Sequence, residues 1–160
     1  MTLSHGRDLA GLAGFLLVCL TIGAVGGIAT AASVDAWYPT IAKPAFNPPD
    51  WIFAPVWTTL YIMIGISGWL VWRRHGFHGA RPAFAAYAIQ LVLNFAWSFL
   101  FFGAHAIGAA LLEIIVLVLA VVMTIVRFRP LHGGAAALLL AYAAWVAFAS
   151  VLNGAIWYLN

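Results

Sequence analysis

Long apolar runs alternate with short polar segments along the whole chain. Each run has the roughly 20 residues that a helix needs to cross a hydrocarbon layer of about 30 Å. Backbone polar groups in lipid must pair within their own segment, which favours helices, and no run alternates like a membrane β-strand. The pattern predicts an all-α, polytopic membrane protein, a five-transmembrane-helix bundle that forms one domain over residues 1–160. The predicted helices cover about 9–32, 51–72, 82–103, 107–126 and 133–159, with a structured loop over 33–50.

The composition supports a membrane protein and excludes several soluble classes. Hydrophobic residues make up 66% of the chain and charged residues only 7%, whereas soluble domains carry about 25% charged residues. A surface so poor in charge excludes a soluble globular enzyme, a disordered tail and a nucleic-acid binder. The first apolar run is about twice as long as the core of a secretion signal, so we expect a retained helix.

The basic residues are distributed unevenly between the two ends of the predicted bundle. Lys43 lies in the loop over 33–50, and every other basic residue lies on the opposite side. Because cytoplasmic segments of membrane proteins are enriched in Lys and Arg, we expect a cytoplasmic N-terminus in a bacterial cytoplasmic membrane, with an outer membrane as the alternative. The residues on the cytoplasmic side are Arg7, Arg73, Arg74, Arg81, Arg127 and Arg129.

The loop over 33–50 contains four of the seven prolines. Proline fixes φ and pushes the residue before it toward extended backbone, so this loop is stiff. We therefore expect a cover packed over one end of the bundle rather than a flexible linker. Asp50, directly before the second helix, is predicted to cap the N-terminus of that helix.

Polar and aromatic side chains form stripes on three of the predicted helices. Amides in an apolar helix are expected to face the interior of the bundle. Two interpretations remain open from the pattern: a pocket for a flat, mostly apolar ligand, or hydrogen bonds that join the helices. The stripes are Trp57 and Tyr61 on the second helix, Tyr87, Gln90, Asn94 and Trp97 on the third, and Tyr142 and Trp145 on the fifth, continued roughly by Asn153.

Other chemical groups are few. Glu113 is the one charged residue inside an apolar run, which makes it either a functional group or a residue that reaches the nearby interface. No histidine pair has metal-ligand spacing, so no metal site is predicted. Gly23 and Gly27 form a GxxxG pattern that permits close helix packing within or between protomers.

Three segments of the chain resemble the TspO/MBR family, that of the tryptophan-rich sensory proteins and translocator proteins, including the peripheral-type benzodiazepine receptor. They are WYPTIAKPAFNPPDWIFAPVWTTLY from Trp37, QLVLNFAWSFLFF from Gln90 and AYAAWVAFASVLNGAIWYLN from Ala141. The resemblance implies a five-helix bundle, commonly a homodimer, with a ligand cavity under the first loop. It implies porphyrins such as protoporphyrin IX and haem, or isoquinoline compounds, as ligands, with no required cofactor. The ligand-binding residues it implies are Trp37, Tyr38, Trp57, Tyr61, Asn94, Trp97 and Trp145, to which the stripes add Gln90 and Tyr142.

The chain also departs from the family pattern. Gly154 and Tyr158 stand where the sterol-recognition segment of animal members needs a tyrosine and a basic residue, so sterol binding is not expected. Ala45 and Phe46 stand where some bacterial members have two tryptophans.

The resemblance favours a tetrapyrrole-binding receptor or sensor that regulates porphyrin metabolism or a stress response. Its partners would be porphyrin-type small molecules, the lipid bilayer and a second copy of the chain, with no nucleic acid. The alternative is an enzyme that degrades porphyrin in light, with Trp57 and Trp145 as the candidate catalytic residues. A porphyrin transporter is less favoured, because no internal repeat is present.

Overall fold

A computed structural model describes residues 5–160 and confirms the all-α prediction. Within this range there are five long helices and no strand. Two 3₁₀ turns, Tyr38–Thr40 and Asp50–Ile52, lie between the first two helices, and a π turn, Phe99–Gly103, follows the third. The helices are α1 (His5–Ala36), α2 (Phe53–Gly79), α3 (Arg81–Ser98), α4 (Ile107–Phe128) and α5 (Gly133–Leu159).

All five helices are long and apolar enough to cross a membrane. They form a closed ring in which α1 packs on α2, α2 on α5, α5 on α4, α4 on α3 and α3 on α1. The outer surface of the ring is apolar: on α4, Leu112 and Leu119 are 69% and 64% exposed. Such a surface is stable in contact with lipid chains, and the fold is that of an integral multi-pass membrane protein.

The inner face of α4 illustrates how the sequence forms the core. Its buried residues recur at the three- and four-residue spacing that places side chains on one side of a helix. Ile114, Leu117, Val121 and Phe128 pack with residues of α2, α3 and α5 in the larger of two hydrophobic clusters, and Ala110 belongs to the smaller one. The buried residues of α4 are Ala110, Ile114, Leu117, Val121, Thr124 and Phe128.

The segment 73–81, predicted as a loop, is mostly helical. α2 continues to Gly79, with a break at Gly76, whose φ of 63° suits glycine. The apolar pattern marks where the chain leaves the hydrocarbon layer, but not where the helix ends. At this end of the bundle Arg73 pairs with Asp8 on α1 at 3.5 Å.

α5 begins with a histidine cap. The backbone N–H of Ala135 donates to Nδ1 of His132 at 3.1 Å, so this ring nitrogen is an unprotonated acceptor. Partial burial, and then the positive charge of Arg74, lowers the pKa of His132. Both effects favour the neutral ring that the cap requires.

Candidate ligand-binding cavity

The loop between α1 and α2 is held across one end of the bundle by hydrogen bonds. The Tyr38 hydroxyl donates to the side-chain oxygen of Asn47 at 2.7 Å, and Lys43 Nζ donates to the Tyr38 carbonyl at 2.7 Å. The Asn160 side chain bonds both the N–H and the C=O of Ala42 at 3.0 Å. The loop is therefore tied both to itself and to the end of α5.

Beneath this loop lies a cavity of about 610 Å³. Its walls come from α1, α2, α3 and α5, and the loop borders its outer end. Most of the lining is apolar or aromatic, which is typical of small-molecule sites of this size. Apart from those of α1, the lining residues include Tyr38, Asp50, Phe53, Trp57, Tyr61, Asn94, Trp97, Phe101, Trp145, Ala149, Leu152, Asn153 and Ile156.

Three tryptophans from three helices border this one cavity. Trp57 on α2 lies beside Tyr61, with ring centroids 5.7 Å apart, and Trp145 on α5 meets Phe53 edge to face at 6.0 Å. Trp97 on α3 stacks on Phe101 at 5.2 Å. Packing against neighbouring aromatic rings fixes the orientation of each indole.

Small residues of α1 form the opposite wall. The lining positions recur along one face of the helix, and Gly27 lies at the centre of that face. A Cβ added at Gly27 would meet no atom within 4 Å, whereas one at Gly23 would lie 2.5 Å from the Tyr61 ring. The glycine pattern therefore packs α1 on α2 at Gly23 and widens the cavity at Gly27. The α1 lining is Leu20, Gly23, Ala24, Gly26, Gly27, Thr30, Ala31, Val34 and Asp35.

Two of the three amides of the predicted stripes, Asn94 and Asn153, both join helices and border the cavity. The Tyr61 hydroxyl donates to Asn94 Oδ1, and Asn94 Nδ2 donates to the Tyr142 hydroxyl at 2.8 Å. Nearer the loop, Trp97 Nε1 donates to Asn153 Oδ1 at 3.2 Å. The two interpretations left open by the sequence are thus compatible, because Asn94 and Asn153 do both.

Three of the nine predicted ligand-binding residues do not line the cavity. Gln90 and Tyr142 are 1% and 0% exposed and lie about one helical turn below its floor, which is formed by Asn94 and Trp145. A stripe defines a helix face but not a depth along it, so these two residues share the face of the lining residues and lie deeper in the bundle, and their contact with a ligand stays a prediction. Trp37 instead stacks on His105, with ring centroids 4.1 Å apart.

Two acidic residues at the outer end were not predicted to line the site. Asp35 lies near the end of α1, and nothing in the sequence separated it from an ordinary interfacial residue. Asp50 was predicted to cap the second helix, but it begins a 3₁₀ turn, and neither this turn nor α2 has a side-chain cap. The prediction was wrong because the extra turn moves the start of α2 to Phe53.

Glu113 lies outside the cavity lining. Its carboxylate oxygens are buried and have no hydrogen-bond partner among the described residues. No group of three or more metal-binding side chains is present in the described part of the chain. The cavity lining itself offers aromatic surfaces, hydroxyls, amides and two carboxylates.

Comparison with known proteins connects this architecture to a family. The model of the TspO/MBR family matches residues 15–159. The tryptophan-rich protein TspO of Archaeoglobus fulgidus is 46% identical over 145 residues, covering 91% of this chain and 94% of the relative. The translocator protein of Ovis aries is 37% identical over 146 residues (90% and 86%). The tryptophan-rich sensory protein of Cereibacter sphaeroides is 33% identical over 139 residues (87% and 86%).

Proposed function

The chain belongs to the TspO/MBR family, as its motifs predicted, and on that premise we propose that it is a membrane receptor or sensor for flat, largely apolar molecules of the tetrapyrrole class. The observation that carries the proposal is the meeting of Trp57, Trp97 and Trp145 around one cavity. A macrocycle presents two broad apolar faces, and indole rings supply matching surfaces of low conformational freedom.

The dimensions and polarity of the cavity support this class of ligand. Its volume of about 610 Å³ lies within the range of roughly 300–1,000 Å³ that holds drug-sized molecules. The side-chain amides of Asn94 and Asn153 are already hydrogen-bonded to tyrosine and tryptophan. Recognition would then rest on the shape and stacking of the ring more than on new hydrogen bonds.

The names of the relatives are consistent with a receptor role. One is called a sensory protein and others translocator proteins. The same proposal includes a role in porphyrin metabolism or a stress response, and a homodimer. It also includes residence in a bacterial cytoplasmic membrane with the N-terminus inside. A partner that receives the signal would complete a sensor.

The test is equilibrium titration of the detergent-solubilised protein with protoporphyrin IX. The change in porphyrin absorbance is followed, so that the signal does not depend on the number of tryptophans. We expect saturable binding that Trp57→Phe and Trp145→Phe each weaken about two- to tenfold, since aromatic contacts contribute about 0.5–1.5 kcal/mol beyond area burial.

The matched control is Trp51→Phe. Trp51 is 74% exposed and does not line the cavity, so this variant should bind as the wild type does. If Trp57→Phe and Trp145→Phe also bind porphyrin with wild-type affinity, the cavity is not the porphyrin site.

A further inference from the structure

The lining of the cavity is exposed on one side only. The described lining residues of α3 and α5 are all buried or partly buried, and each exposed lining residue belongs to α1, to α2 or to the turn that leads into α2. Thr30 and Tyr61, which face deeper into the bundle, are only 6% and 7% exposed, so the exposure comes from outside the ring of helices. The exposed lining residues are Leu20, Ala24, Gly27, Ala31 and Asp35 on α1, Asp50 in the turn, and Ala54 and Thr58 on α2.

One face of α2 shows where its contact with α1 ends. Thr58 and Ala54 lie about one and two turns before Tyr61, on the same side of the helix. Tyr61 is buried beside Gly23 of α1, and Gly65, one turn further on, is buried against the backbone of α1. Ala54 and Thr58 are exposed. α1 therefore covers this face of α2 as far as Tyr61 and leaves it open nearer the loop.

The facing edge of α1 consists of small residues. Ala24, Gly27 and Ala31 have side chains too short to reach across to α2, and a Cβ added at Gly27 would meet no atom within 4 Å. The space between these three residues and the pair Ala54 and Thr58 is called the α1–α2 gap below. It leads directly into the cavity, because all five residues line it.

The other boundaries of the cavity are closed. Where α1 meets α3, Gly26 is buried, and a Cβ added there would lie 3.6 Å from the Ser98 hydroxyl oxygen. At the loop end, Tyr38 lines the cavity and is 4% exposed. The Asn160 side chain holds the loop to α5 through both backbone groups of Ala42. A molecule that arrived past the loop would have to displace it.

The α1–α2 gap lies at a depth where lipid chains surround the helices. Ala24 is about 18 Å of helix before Ala36, the last residue of α1, and both α1 and α2 are long and apolar enough to cross a membrane. The Thr58 hydroxyl donates to the Ala54 carbonyl at 2.8 Å, so it is satisfied within its own helix, as a lipid environment requires. The edges of the gap are therefore compatible with contact with hydrocarbon.

From these observations we infer that the α1–α2 gap is the entrance of the cavity and that it opens sideways into the bilayer. The ligand enters from the lipid phase between Ala54 and Thr58 on one side and α1 on the other. This inference rests on the proposed function, because it concerns the same cavity, and it narrows the ligands to molecules that partition into membranes. A receptor with this entrance responds to the concentration of the ligand in the membrane.

The test measures how fast bound protoporphyrin IX leaves the protein, because an entrance is also the exit. The loaded protein, in the detergent of the equilibrium titration, is mixed with an excess of zinc protoporphyrin IX, and the change in porphyrin absorbance gives the release rate. The dissociation constant is measured separately. A side chain that blocks the exit slows release, whereas a side chain that disturbs contacts in the site speeds it.

Thr58→Phe and Ala54→Phe should each slow release about tenfold, because the leaving ring must displace the added phenyl group, a barrier of the size that overpacking produces. The dissociation constant should change less than the release rate, since the block acts on entry and exit alike. The matched control is Thr59→Phe. Thr59 is the exposed neighbour of Thr58, its hydroxyl also donates one turn back, to Pro55, and it does not line the cavity. This variant should release porphyrin as the wild type does.

Asn160→Ala examines the competing route past the loop. The substitution removes the hydrogen bonds that hold Ala42 to the end of α5. If the ligand leaves beneath the loop, release should become faster. With the exit between α1 and α2, we expect the release rate of the wild type.

The outcomes separate the inference from the proposed function. Saturable binding with release as fast as in wild type, or faster, in both Thr58→Phe and Ala54→Phe would overturn the lateral entrance and leave the porphyrin site standing. Equal slowing by Thr59→Phe, or faster release from Asn160→Ala, would also overturn it. Loss of binding in both gap variants would place the added rings within the site instead of at its entrance, against the inference. Failure of wild-type protein to bind protoporphyrin IX would remove the proposed function, and the inference with it.

Discussion

The Tyr61 hydroxyl on α2 donates a hydrogen bond to the side-chain oxygen of Asn94 on α3. Asn94 then donates to Tyr142 on α5, so one buried amide connects three helices at the floor of the cavity. Both tyrosine hydroxyls are bonded to this one amide, and Asn94 uses its oxygen for one and its nitrogen for the other. The hydrogen-bonded side chains at the floor of the cavity therefore also join the three helices.

Asn94→Ala should lower the free energy of unfolding by about 1–3 kcal/mol, because it leaves the Tyr61 and Tyr142 hydroxyls without this partner. The measurement is reversible unfolding in mixed micelles. In a double-mutant cycle with Tyr61→Phe, the combined loss should be smaller than the sum of the single losses. Strictly additive losses would show that the Tyr61–Asn94 bond contributes little.

Gly27→Phe should fill the cavity and leave the fold intact. An added Cβ meets no atom within 4 Å there, and the position lies at the centre of the lining face of α1. We expect porphyrin affinity to fall more than tenfold with little change in thermal stability. The control is Gly14→Phe, at another open position on α1 that does not line the cavity; equal binding by both variants would contradict the assignment of this wall.

Gly23→Ala, unlike Gly27→Phe, should lower the thermal stability of the protein. Its added Cβ would lie 2.5 Å from the Tyr61 ring, so α1 and α2 must separate or the ring must move. Overpacking of this kind costs about 1–3 kcal/mol. We expect a clear loss of thermal stability in detergent; a variant as stable as wild type would mean that the two helices adjust freely at this contact.

The fold was predictable from the sequence to the extent that hydrophobicity determines it. The five apolar runs predicted the number of helices, since the backbone in lipid must form helices or a closed barrel and none of the runs alternates like a barrel strand. Their ends were less accessible: Arg73 and Arg74 mark the edge of the apolar layer, yet α2 continues to Gly79. Polar helix termini carry no apolar periodicity, and caps such as His132 depend on contacts that form only in the folded chain.

The site was predictable where side-chain type and helix face were sufficient. Trp57, Asn94, Trp97 and Trp145 reach the cavity as expected, but Gln90 on the same stripe as Asn94 does not. The glycines of α1 indicated only close helix packing in the sequence. Small residues that leave space for a cavity form no polar or aromatic pattern, so this wall was not predicted. Asp35 was identified as a lining residue only from the structure, in which the end of α1 borders the cavity.

Stability should fall as the pH is lowered from about 7.5 to 5.5, in part through His132. The folded state lowers the pKa of this histidine, chiefly by burial. Its contribution is therefore complete above the ordinary value near 6.5 and is lost as the ring gains a proton and can no longer accept from Ala135. His132→Ala should lower the free energy of unfolding by about 1 kcal/mol at pH 7.5, as the loss of an N-cap does. The melting temperature of this variant should change less with pH than that of the wild type.

The control for this pH profile is His78→Ala, at an exposed position on α2. It should keep the wild-type slope of melting temperature with pH. If His78→Ala and His132→Ala give parallel profiles, the pH dependence arises elsewhere in the chain.

Illumination separates a receptor from an enzyme that degrades porphyrin. A receptor requires the indole of Trp145 only for contact, so at saturating ligand we expect bound protoporphyrin IX to bleach equally fast on wild type and on Trp145→Phe. Absorbance is followed under constant light. A distinct product formed by wild type and absent from Trp145→Phe would favour the enzyme.

The most direct measurement is the position of a bound ring in an experimental structure. Zinc protoporphyrin IX provides an anomalous signal from its metal ion, which marks the centre of the macrocycle. We expect one zinc peak inside the cavity bordered by Trp57, Asn94 and Trp145, beneath the loop that carries Tyr38. A zinc peak on the lipid-facing surface of the helices, with this cavity unchanged, would contradict it.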